Sequence, residues 1–242
     1  MRVSGAVVTE ILEAVRSFVQ PGQTTLEVDR YAASLMQKHG ARSAFLGYKG
    51  FPGNICISVN EEVVHGIGGS RRIQYGDLVK VDIGIFKNGW IGDTATTIPV
   101  GMIDPSITRL LNATQASLKI GIAQARPGLR VGDISAAIEQ FILQNGFSVV
   151  REFVGHGVGR KLHEDPQVPN FGKAGAGPKL KPGMVLAIEP MVNLGEPEVR
   201  ILSDNWTVVA CDGKPSAHFE HTVLITEDEP EILTCLRAAT VS

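Results

Sequence analysis

The apolar and polar positions of the first forty residues predict two helices. Apolar residues recur with the spacing of one helix face at Val7, Ile11, Val15 and Phe18. Pro21-Gly22 is typical of the turn that ends such a helix. Thr24 and Glu27 then form the pattern of a capping box, which predicts the start of a second helix that stops before Gly40.

The second half of the chain repeats this order of signals. Asp104-Pro105 predicts a helix start. One face of that helix carries Ile107, Leu110, Leu111, Thr114 and Leu118. Pro127-Gly128 ends it, and a further helix, with Ile134, Ile138, Phe141 and Ile142 on one face, stops before Gly146. The spacing from Pro21 to Gly40 equals that from Pro127 to Gly146, so the chain is predicted to contain an internal repeat.

Strand signals follow the helices, and they carry acidic residues at matched places. Segments 55–59 and 78–86 are predicted strands in the first half. GDLVKVD (76–82) and GMVLAIE (183–189) each place a carboxylate six residues after a glycine. Turn signals also recur by chance, but the matched acids favour a true repeat. We therefore expect an α/β (α+β) fold of two helix–helix–sheet halves, about 1–100 and 104–235, in one domain over 1–242.

A predicted hairpin brings two aspartates together. Asn88-Gly89 between apolar alternations is a strong signal for a type I′ turn. With those residues as the loop, Gly84 faces Asp93 and Asp82 faces Ala95, so both aspartates lie on one face of the sheet. Two buried carboxylates that point at one cavity repel each other, so either a shared proton or a metal ion is required.

The second half supplies further ligands, which favours the metal. Glu189 ends an apolar strand and matches Asp82, and Glu220 begins another strand and answers to Asp93. His156 and His163 lie among glycines in GHGVGRKLHEDP (155–166). Taken singly, such residues are more often structural. Together they predict a site for one or two divalent ions, with manganese, iron(II) or cobalt favoured and zinc not excluded.

Composition excludes several other classes. The net charge of -2 leaves no basic surface for nucleic acid. No apolar run is long enough to span a membrane. The three cysteines form no CxxC pair, so neither a zinc ribbon nor a disulfide scaffold is expected. These features predict a cytoplasmic globular protein.

These motifs together resemble the type I methionine aminopeptidases. The likeness is carried by VDIG (81–84), GDTA (92–95), GHGVGR…HEDP (155–166), IEP (188–190) and FEHT (219–222). NEEVVHGI (60–67) and GYKGFPGNICISVN (47–60) resemble the substrate side of that family. The resemblance implies the pita-bread fold, in which two pseudo-symmetric halves form a curved antiparallel sheet around a dinuclear metal site.

The resemblance also implies a role for each matching residue. Asp82 would chelate one ion, Asp93 and Glu220 would bridge both, and His156 and Glu189 would bind the other. A metal-activated water would attack the first peptide bond, with Glu189 as proton shuttle. His163 would stabilise the oxyanion, and His65 would contact the scissile amide or the next residue. The free amine of the substrate would bind the ion held by Asp82.

The expected activity is removal of the N-terminal methionine from nascent proteins and peptides, with preference for a small second residue. By position, Tyr48, Phe51, Cys56 and Trp206 resemble the lining of the methionine pocket, although each is also a plausible core residue. Phe45 and Leu162 depart from a well-known bacterial pattern but stay apolar. His218 stands where glutamine is frequent, so its contact to the metals is expected to differ.

Rival interpretations are an aminopeptidase P or prolidase, and a non-catalytic pita-bread binding protein. The first class normally carries an additional N-terminal domain, and the second should show gaps among the ligands or a basic patch. We therefore expect a monomeric enzyme that holds two divalent ions (Co, Mn, Fe or Zn) and acts on peptide or nascent-chain N-termini. Transient ribosome association fits that activity, although no segment of the sequence encodes it, and neither nucleic acid nor membrane binding is expected.

Overall fold

The helices follow the predicted repeat. The structure, a computed structural model, describes residues 1–236. Within those residues four α-helices are found: α1 (Arg2–Phe18), α2 (Thr25–Lys38), α3 (Pro105–Ala123) and α4 (Val131–Gln144). α1 begins at Arg2, ahead of Val7, the first residue named in the predicted apolar pattern. α3 ends at Ala123, ahead of the predicted Pro127-Gly128 stop, so a short non-helical stretch precedes that turn.

The predicted caps form at two helix starts. Before α2, the hydroxyl of Thr24 accepts from the amide of Glu27 at 3.2 Å, and the Glu27 carboxylate accepts from the amide of Thr24 at 2.6 Å. Before α3, the Asp104 carboxylate accepts from the amide of Ser106 at 2.7 Å. Each cap satisfies backbone donors that the first turn of a helix leaves free.

The strands form one large sheet and two small ones. Within residues 1–236 they are β1 (Arg42–Ser43), β2 (Cys56–Val59), β3 (Glu62–Val64), β4 (Leu78–Lys87), β5 (Trp90–Pro99), β6 (Ser148–Val149), β7 (Gly155–Gly157), β8 (Glu164–Val168), β9 (Val185–Ile188), β10 (Met191–Asn193), β11 (Val199–Ile201), β12 (Val208–Ala210), β13 (Ser216–His218), β14 (Glu220–Leu224) and β15 (Glu231–Ile232). The large sheet has the order β1-β4-β5-β14-β9-β7-β8, with β2 also paired to β4 and β15 to β14. The small sheets are β13-β10-β6 and β11-β12-β3.

The middle of the large sheet is arranged symmetrically about the pairing of β5 with β14. β4 lies beside β5 on one side, and β9 lies beside β14 on the other. The first pair of strands belongs to the first half of the chain and the second pair to the second half. This order matches the repeat, whereas the residue bounds of the two halves and their treatment as one domain stay predictions.

The hairpin between β4 and β5 has the predicted turn and register. Asn88 and Gly89 both have positive φ, 52° and 82°, as a type I′ turn requires. Gly84 pairs with Asp93 and Asp82 pairs with Ala95. Because side chains alternate along a strand, both aspartates project from the same face of the sheet.

The opposite face of β4 packs against the helices of the first half. Val81, Ile83 and Ile85 are fully buried there, in one cluster with apolar residues of α1 and α2. A second cluster holds α3 and α4 against the other half of the sheet. The helices therefore cover one face of the sheet and leave the face of the acidic residues to the site. None of the helices within residues 1–236 is long and apolar enough to cross a membrane.

Threonine hydroxyls join the two halves where β5 meets β14 and β13. Thr94 donates to the carbonyl of Glu220 at 2.9 Å, and Thr222 donates to the carbonyl of Asp93 at 2.7 Å. Thr97 donates to the carbonyl of His218 at 2.7 Å. We call these three threonines the seam. Since each of these bonds ends on a residue of the acidic face or its neighbour, the seam fixes the relative position of the two halves of the site.

Candidate metal centre

The sheet register brings together the five residues predicted as metal ligands. Asp82 pairs with Ala95, and Ala95 also pairs with Glu220, so these two acids flank one small residue. His156 pairs with Ala187, two residues before Glu189, on the other side. Asp93 lies two residues before Ala95 on the same face. Four strands therefore direct side chains at a single point.

The distances between these side chains are short. One ligand atom each from Asp93, His156 and Glu220 lie within 4.8 Å of one another, and all three residues are buried. Nε2 of His156 is 3.9 Å from Oδ2 of Asp93 and 3.6 Å from Oε1 of Glu189. Such a group of oxygen and nitrogen atoms has the size of a metal coordination sphere.

Lysine and arginine do not neutralise these acids. Among residues 1–236, no ion pair joins Asp82, Asp93, Glu189 or Glu220 to a lysine or arginine. Lys80 instead donates to the carbonyls of Asn60 and Ser216, at 2.6 and 3.0 Å. Lys87 donates to the carbonyl of His39. The two lysines that flank Asp82 in sequence therefore bond to backbone carbonyls rather than to the acids of the site.

The acids respond to this environment in the same way. Burial raises the pKa of the four carboxyl groups well above their ordinary values, and repulsion among them raises it further. These groups belong to Asp82, Asp93, Glu189 and Glu220. Burial lowers the pKa of His156 to about 4, so its ring is neutral at physiological pH. A neutral imidazole is the form that binds a metal ion.

Unpaired oxygens show that a divalent cation fits here. Oδ1 of Asp82 and Oδ1 of Asp93 are buried and have no hydrogen-bond partner. An orphaned buried carboxylate oxygen costs free energy unless a cation offsets it. The donor set of carboxylates with one imidazole suits a hard or borderline divalent ion. A cation bound among these residues would satisfy both oxygens at once.

All eleven predicted site residues line one cavity of about 210 Å³. They are Tyr48, Phe51, Cys56, His65, Asp82, Asp93, His156, His163, Glu189, Trp206 and Glu220. The four acids and the three histidines share this lining with apolar and aromatic side chains and with Lys49. Phe45 and Leu162, the two departures noted in the sequence, also lie in the wall. A cavity with an apolar wall and a few polar groups is typical of a small-molecule or side-chain binding site.

The two other predicted histidines face this cavity from separate loops. His65 has a positive φ of 59° and lies edge-on to Phe153, with ring centroids 5.2 Å apart. A non-glycine residue in this conformation is uncommon and is often found at functional sites. The His163 ring lies 4.2 Å from that of His156, and its Nδ1 is 2.9 Å from the hydroxyl of Tyr48. Burial lowers the pKa of both rings, to about 4 for His65.

The predicted pocket residues form the apolar wall. Phe51 and Trp206 meet edge to face with ring centroids 5.1 Å apart. Cys56 pairs with Asp82 across β2 and β4, so its side chain points to the same face. Burial and the neighbouring acids raise the pKa of its thiol, which therefore stays protonated. The core interpretation of these residues and the pocket interpretation are compatible, because each is mostly buried and yet lines the cavity.

Some residues of the site carried too little signal in the sequence. Phe153, Val154 and Met191 complete the wall but belong to no motif. In the sequence, His218 stands where glutamine is frequent, and its contact to the metals is expected to differ. In the structure its Nε2 is buried, has no hydrogen-bond partner, and lies 3.4 Å from Oε2 of Glu189. The pairing of Met191 with His218 in a small sheet produces this contact, which periodicity alone does not reveal.

Comparison with known proteins gives the class of the chain. Residues 1–227 match metallopeptidase family M24, and the chain belongs to that family. It is 53% identical over 234 residues to methionine aminopeptidase 1 of Bacillus subtilis, covering 97% of this chain and 94% of that one.

Solved structures agree with this grouping. The structure of methionine aminopeptidase from Rickettsia prowazekii superposes with a TM-score of 0.95 at 38% identity, covering 97% of this chain and 95% of that one. This likeness confirms the pita-bread fold. The prolidase from Pyrococcus furiosus has a TM-score of 0.80 at 24% identity, and this chain covers 63% of it, so that likeness shows a shared fold alone.

Proposed function

We propose that this chain is a metal-dependent aminopeptidase that removes methionine from the N-terminus of peptides and newly made proteins. The observation that carries the proposal is the cluster of Asp93, His156 and Glu220 within 4.8 Å, in the wall of a cavity that also has apolar and aromatic residues. The relatives named methionine aminopeptidase, at about half identity over nearly the whole chain, support it.

The ligand set proposed for two divalent ions is Asp82, Asp93, His156, Glu189 and Glu220. Asp93 and Glu220, on the two central strands β5 and β14, would lie in the middle of this set. Asp82 lies on the first-half side, and His156 with Glu189 on the second-half side. Cobalt, manganese, iron and zinc are the candidate metals. Bound ions would supply a water acidic enough to be a nucleophile at neutral pH and would polarise the peptide carbonyl.

The chain's own residues carry the remaining steps. Glu189 is assigned to take a proton as the peptide bond is attacked and to return it to the leaving amine. His163 is assigned to donate a hydrogen bond to the carbonyl oxygen as negative charge develops there. His65 is assigned to contact the scissile amide or the next residue. All three line the same cavity.

The apolar wall would select the substrate side chain. Tyr48, Phe51, Cys56 and Trp206 enclose a space suited to an unbranched thioether, and Phe51 packed against Trp206 makes part of this wall rigid. Against the apolar part of this wall, a charged side chain would lose its hydration without gaining a partner. Preference for a small second residue is part of the proposal and rests on the family likeness.

The cellular setting is proposed from the substrate. An enzyme that removes methionine from nascent chains would act in the cytoplasm, as a monomer with transient ribosome association. The complete ligand set within a single chain supports action as a monomer. These parts of the proposal rest on the expected substrate rather than on a binding surface.

Peptide hydrolysis after metal exchange tests the activity. The protein would be stripped with chelator and loaded with Mn²⁺ or Co²⁺, and methionine release would be measured from Met-Ala-Ser and amino-acid release from Ala-Pro-Ser. We expect metal-dependent cleavage of the first peptide only. Cleavage of only the proline peptide would assign the chain to the aminopeptidase P branch, and cleavage of neither with metal bound would indicate a binding protein.

A ligand variant makes this test specific. Asp93→Asn removes a charge from the proposed shared position, and we expect more than about a 100-fold loss of activity together with lower metal content. Asp228→Asn, on an exposed turn far from the cavity, is the matched control and should retain both. Full metal content in the Asp93 variant would contradict the proposed ligand set.

A further inference from the structure

Tyr48 does more in this structure than line the apolar wall. Its hydroxyl lies 2.9 Å from Nδ1 of His163, and the two rings stack with centroids 5.2 Å apart. The contact joins residues 115 positions apart in sequence. A pocket that only needed an apolar surface would be served by phenylalanine, so the hydroxyl calls for a separate explanation.

The backbone around Tyr48 holds this hydroxyl in one place. Tyr48 begins a short 3-10 turn that follows Gly47, whose φ is 79°. The Ser43 hydroxyl accepts from the amides of Phe45 and Leu46, each at 3.0 Å, and donates to the carbonyl of Asn54 at 2.6 Å. These bonds tie the start of the turn to the segment that closes it.

A buried carboxylate anchors the other end of the same loop. Asp29 on α2 accepts from the amide and side chain of Asn54, each at 2.7 Å, and from the amide of Ile55 at 3.1 Å. The loop from 43 to 55 is therefore fixed to a helix, and the position of Tyr48 is fixed with it.

The loop that carries His163 is held as well. The Glu164 carboxylate accepts from the amides of Arg160 and Lys161, both at 2.9 Å. Glu164 itself pairs with Gly157 where β8 meets β7, next to His156. Two rigid turns thus meet through one side-chain hydrogen bond, which makes the bond a built feature of the site.

The direction of this bond decides which ring nitrogen carries the proton. A neutral imidazole has one N–H and one acceptor nitrogen. If the phenol donates to Nδ1, the proton of His163 lies on Nε2. That N–H is then available to the cavity, which is lined by four carboxyl groups and so attracts a donor rather than a lone pair.

We propose that Tyr48 is a positioning residue, whose hydroxyl donates to Nδ1 of His163 and so presents Nε2–H as a hydrogen-bond donor toward the substrate carbonyl. The inference deepens the proposed function and rests on the role assigned there to His163. It assigns to Tyr48 control of the tautomer and orientation of that ring, in addition to contact with the methionine side chain.

Kinetics of a double-mutant cycle test this assignment. Tyr48→Phe keeps the ring and removes only the hydroxyl, so in the metal-loaded protein we expect kcat on Met-Ala-Ser to fall about five- to tenfold, with KM nearly unchanged. In a His163→Ala background the same substitution should have less than about a twofold effect. Tyr75→Phe, on an exposed tyrosine, is the matched control. An equal fold loss of kcat from Tyr48→Phe in both backgrounds, or a rise in KM with kcat unchanged, would overturn the proposal.

A spectroscopic measurement stands apart from activity. In protein labelled with ¹⁵N-histidine and loaded with Zn²⁺, the His163 signals are assigned by their absence in His163→Ala. We expect the signature of a ring protonated on Nε2, with a shift toward mixed tautomers in Tyr48→Phe. A wild-type ring protonated on Nδ1 would refute the inference even if methionine is released. The Nε2–H signature without methionine release would leave the inference standing and refute the proposed function.

Discussion

At the scale of single residues, the site contains buried polar atoms that have no hydrogen-bond partner within residues 1–236. The acids at Asp82 and Asp93 each keep an oxygen without a hydrogen bond, and His218 keeps a ring nitrogen without one. Burial of unpaired polar atoms costs free energy, so three such atoms in one site indicate a functional role. A bound cation would pair with the two carboxylate oxygens, and Oε2 of Glu189 lies 3.4 Å from Nε2 of His218.

His218 is expected to tune the metal centre through Glu189. Burial lowers its pKa to about 3, so the ring is neutral and offers one N–H. His218→Leu removes this donor, and we expect Mn²⁺ affinity to fall about 10- to 100-fold by isothermal titration calorimetry, as for other residues that orient a metal ligand. His218→Gln keeps an N–H donor and should stay close to the wild type. Equal affinities in all three proteins would show that the ring serves packing alone.

At the scale of secondary-structure elements, close backbone approach decides how α1 sits on the sheet. A Cβ placed on Gly92 of β5 would lie 2.6 Å from the carbonyl oxygen of Ser4 in α1. A Cβ on Gly5 would collide with the carbonyl of Leu233, just after β15. The first helix is therefore held between β5 and the segment after β15, and Arg2 adds an ion pair to Glu231 at 2.6 Å.

Gly92→Ala tests how much the close contact between β5 and α1 contributes to the stability of the protein. Because the colliding atom belongs to the backbone of α1, the helix has to move, and we expect a loss of about 3 kcal/mol in the free energy of unfolding. Urea unfolding measures it. Gly69→Ala is the control, since the nearest atom to a Cβ there lies 3.8 Å away. Similar stability of the two variants would mean that α1 adjusts without cost.

The elements also show where sequence reasoning succeeds and where it stops. The Asn88-Gly89 turn sets the register of β4 and β5, so the shared face of Asp82 and Asp93 follows from local signals. The repeat extends this to Glu189 and Glu220. The bond between Tyr48 and His163 and the contact of His218 with Glu189 arise between segments that are far apart in sequence. No periodic pattern encodes such contacts, because they depend on how the elements pack.

At the scale of the whole molecule, the site links metal binding to the stability of the fold. The proposed ligands come from both predicted halves and meet across the seam of Thr94, Thr97 and Thr222. Without a cation, the carboxyl groups of the site favour the protonated form, since their pKa values in the folded state are raised. A raised carboxyl pKa means that the folded state binds more protons than the unfolded state, so stability falls as pH rises toward the folded pKa.

This linkage predicts how stability responds to pH and metal together. Near pH 6.5 a histidine in the unfolded chain is still about half protonated, whereas the buried histidines are neutral in the folded chain because burial lowers their pKa. These histidines, and Lys80, whose pKa burial lowers to about 7, make stability rise with pH, in the opposite sense to the carboxyl groups. The difference in Tm between Mn²⁺-loaded and chelated protein removes that contribution. We expect this difference to widen from pH 6.5 to 8, since the ion binds deprotonated ligands.

Differential scanning calorimetry at matched free Mn²⁺ would measure this difference. Asp93→Asn lacks one of the acids and should show a smaller dependence on pH. A Tm difference that is constant across the range would contradict the linkage, because it would mean that metal binding releases no protons from these groups.

The connector between the halves has one further consequence. Residues 101–104 lie between β5 and α3, and Met102 is 80% exposed. Asp82 and Asp93 precede this connector, whereas His156, Glu189 and Glu220 follow it. If the chain were divided there, each fragment would carry part of the proposed ligand set. Peptide hydrolysis would then report that the two fragments had reassembled. The fold thus has the layout of a split enzyme, in which catalysis can serve as a signal of proximity.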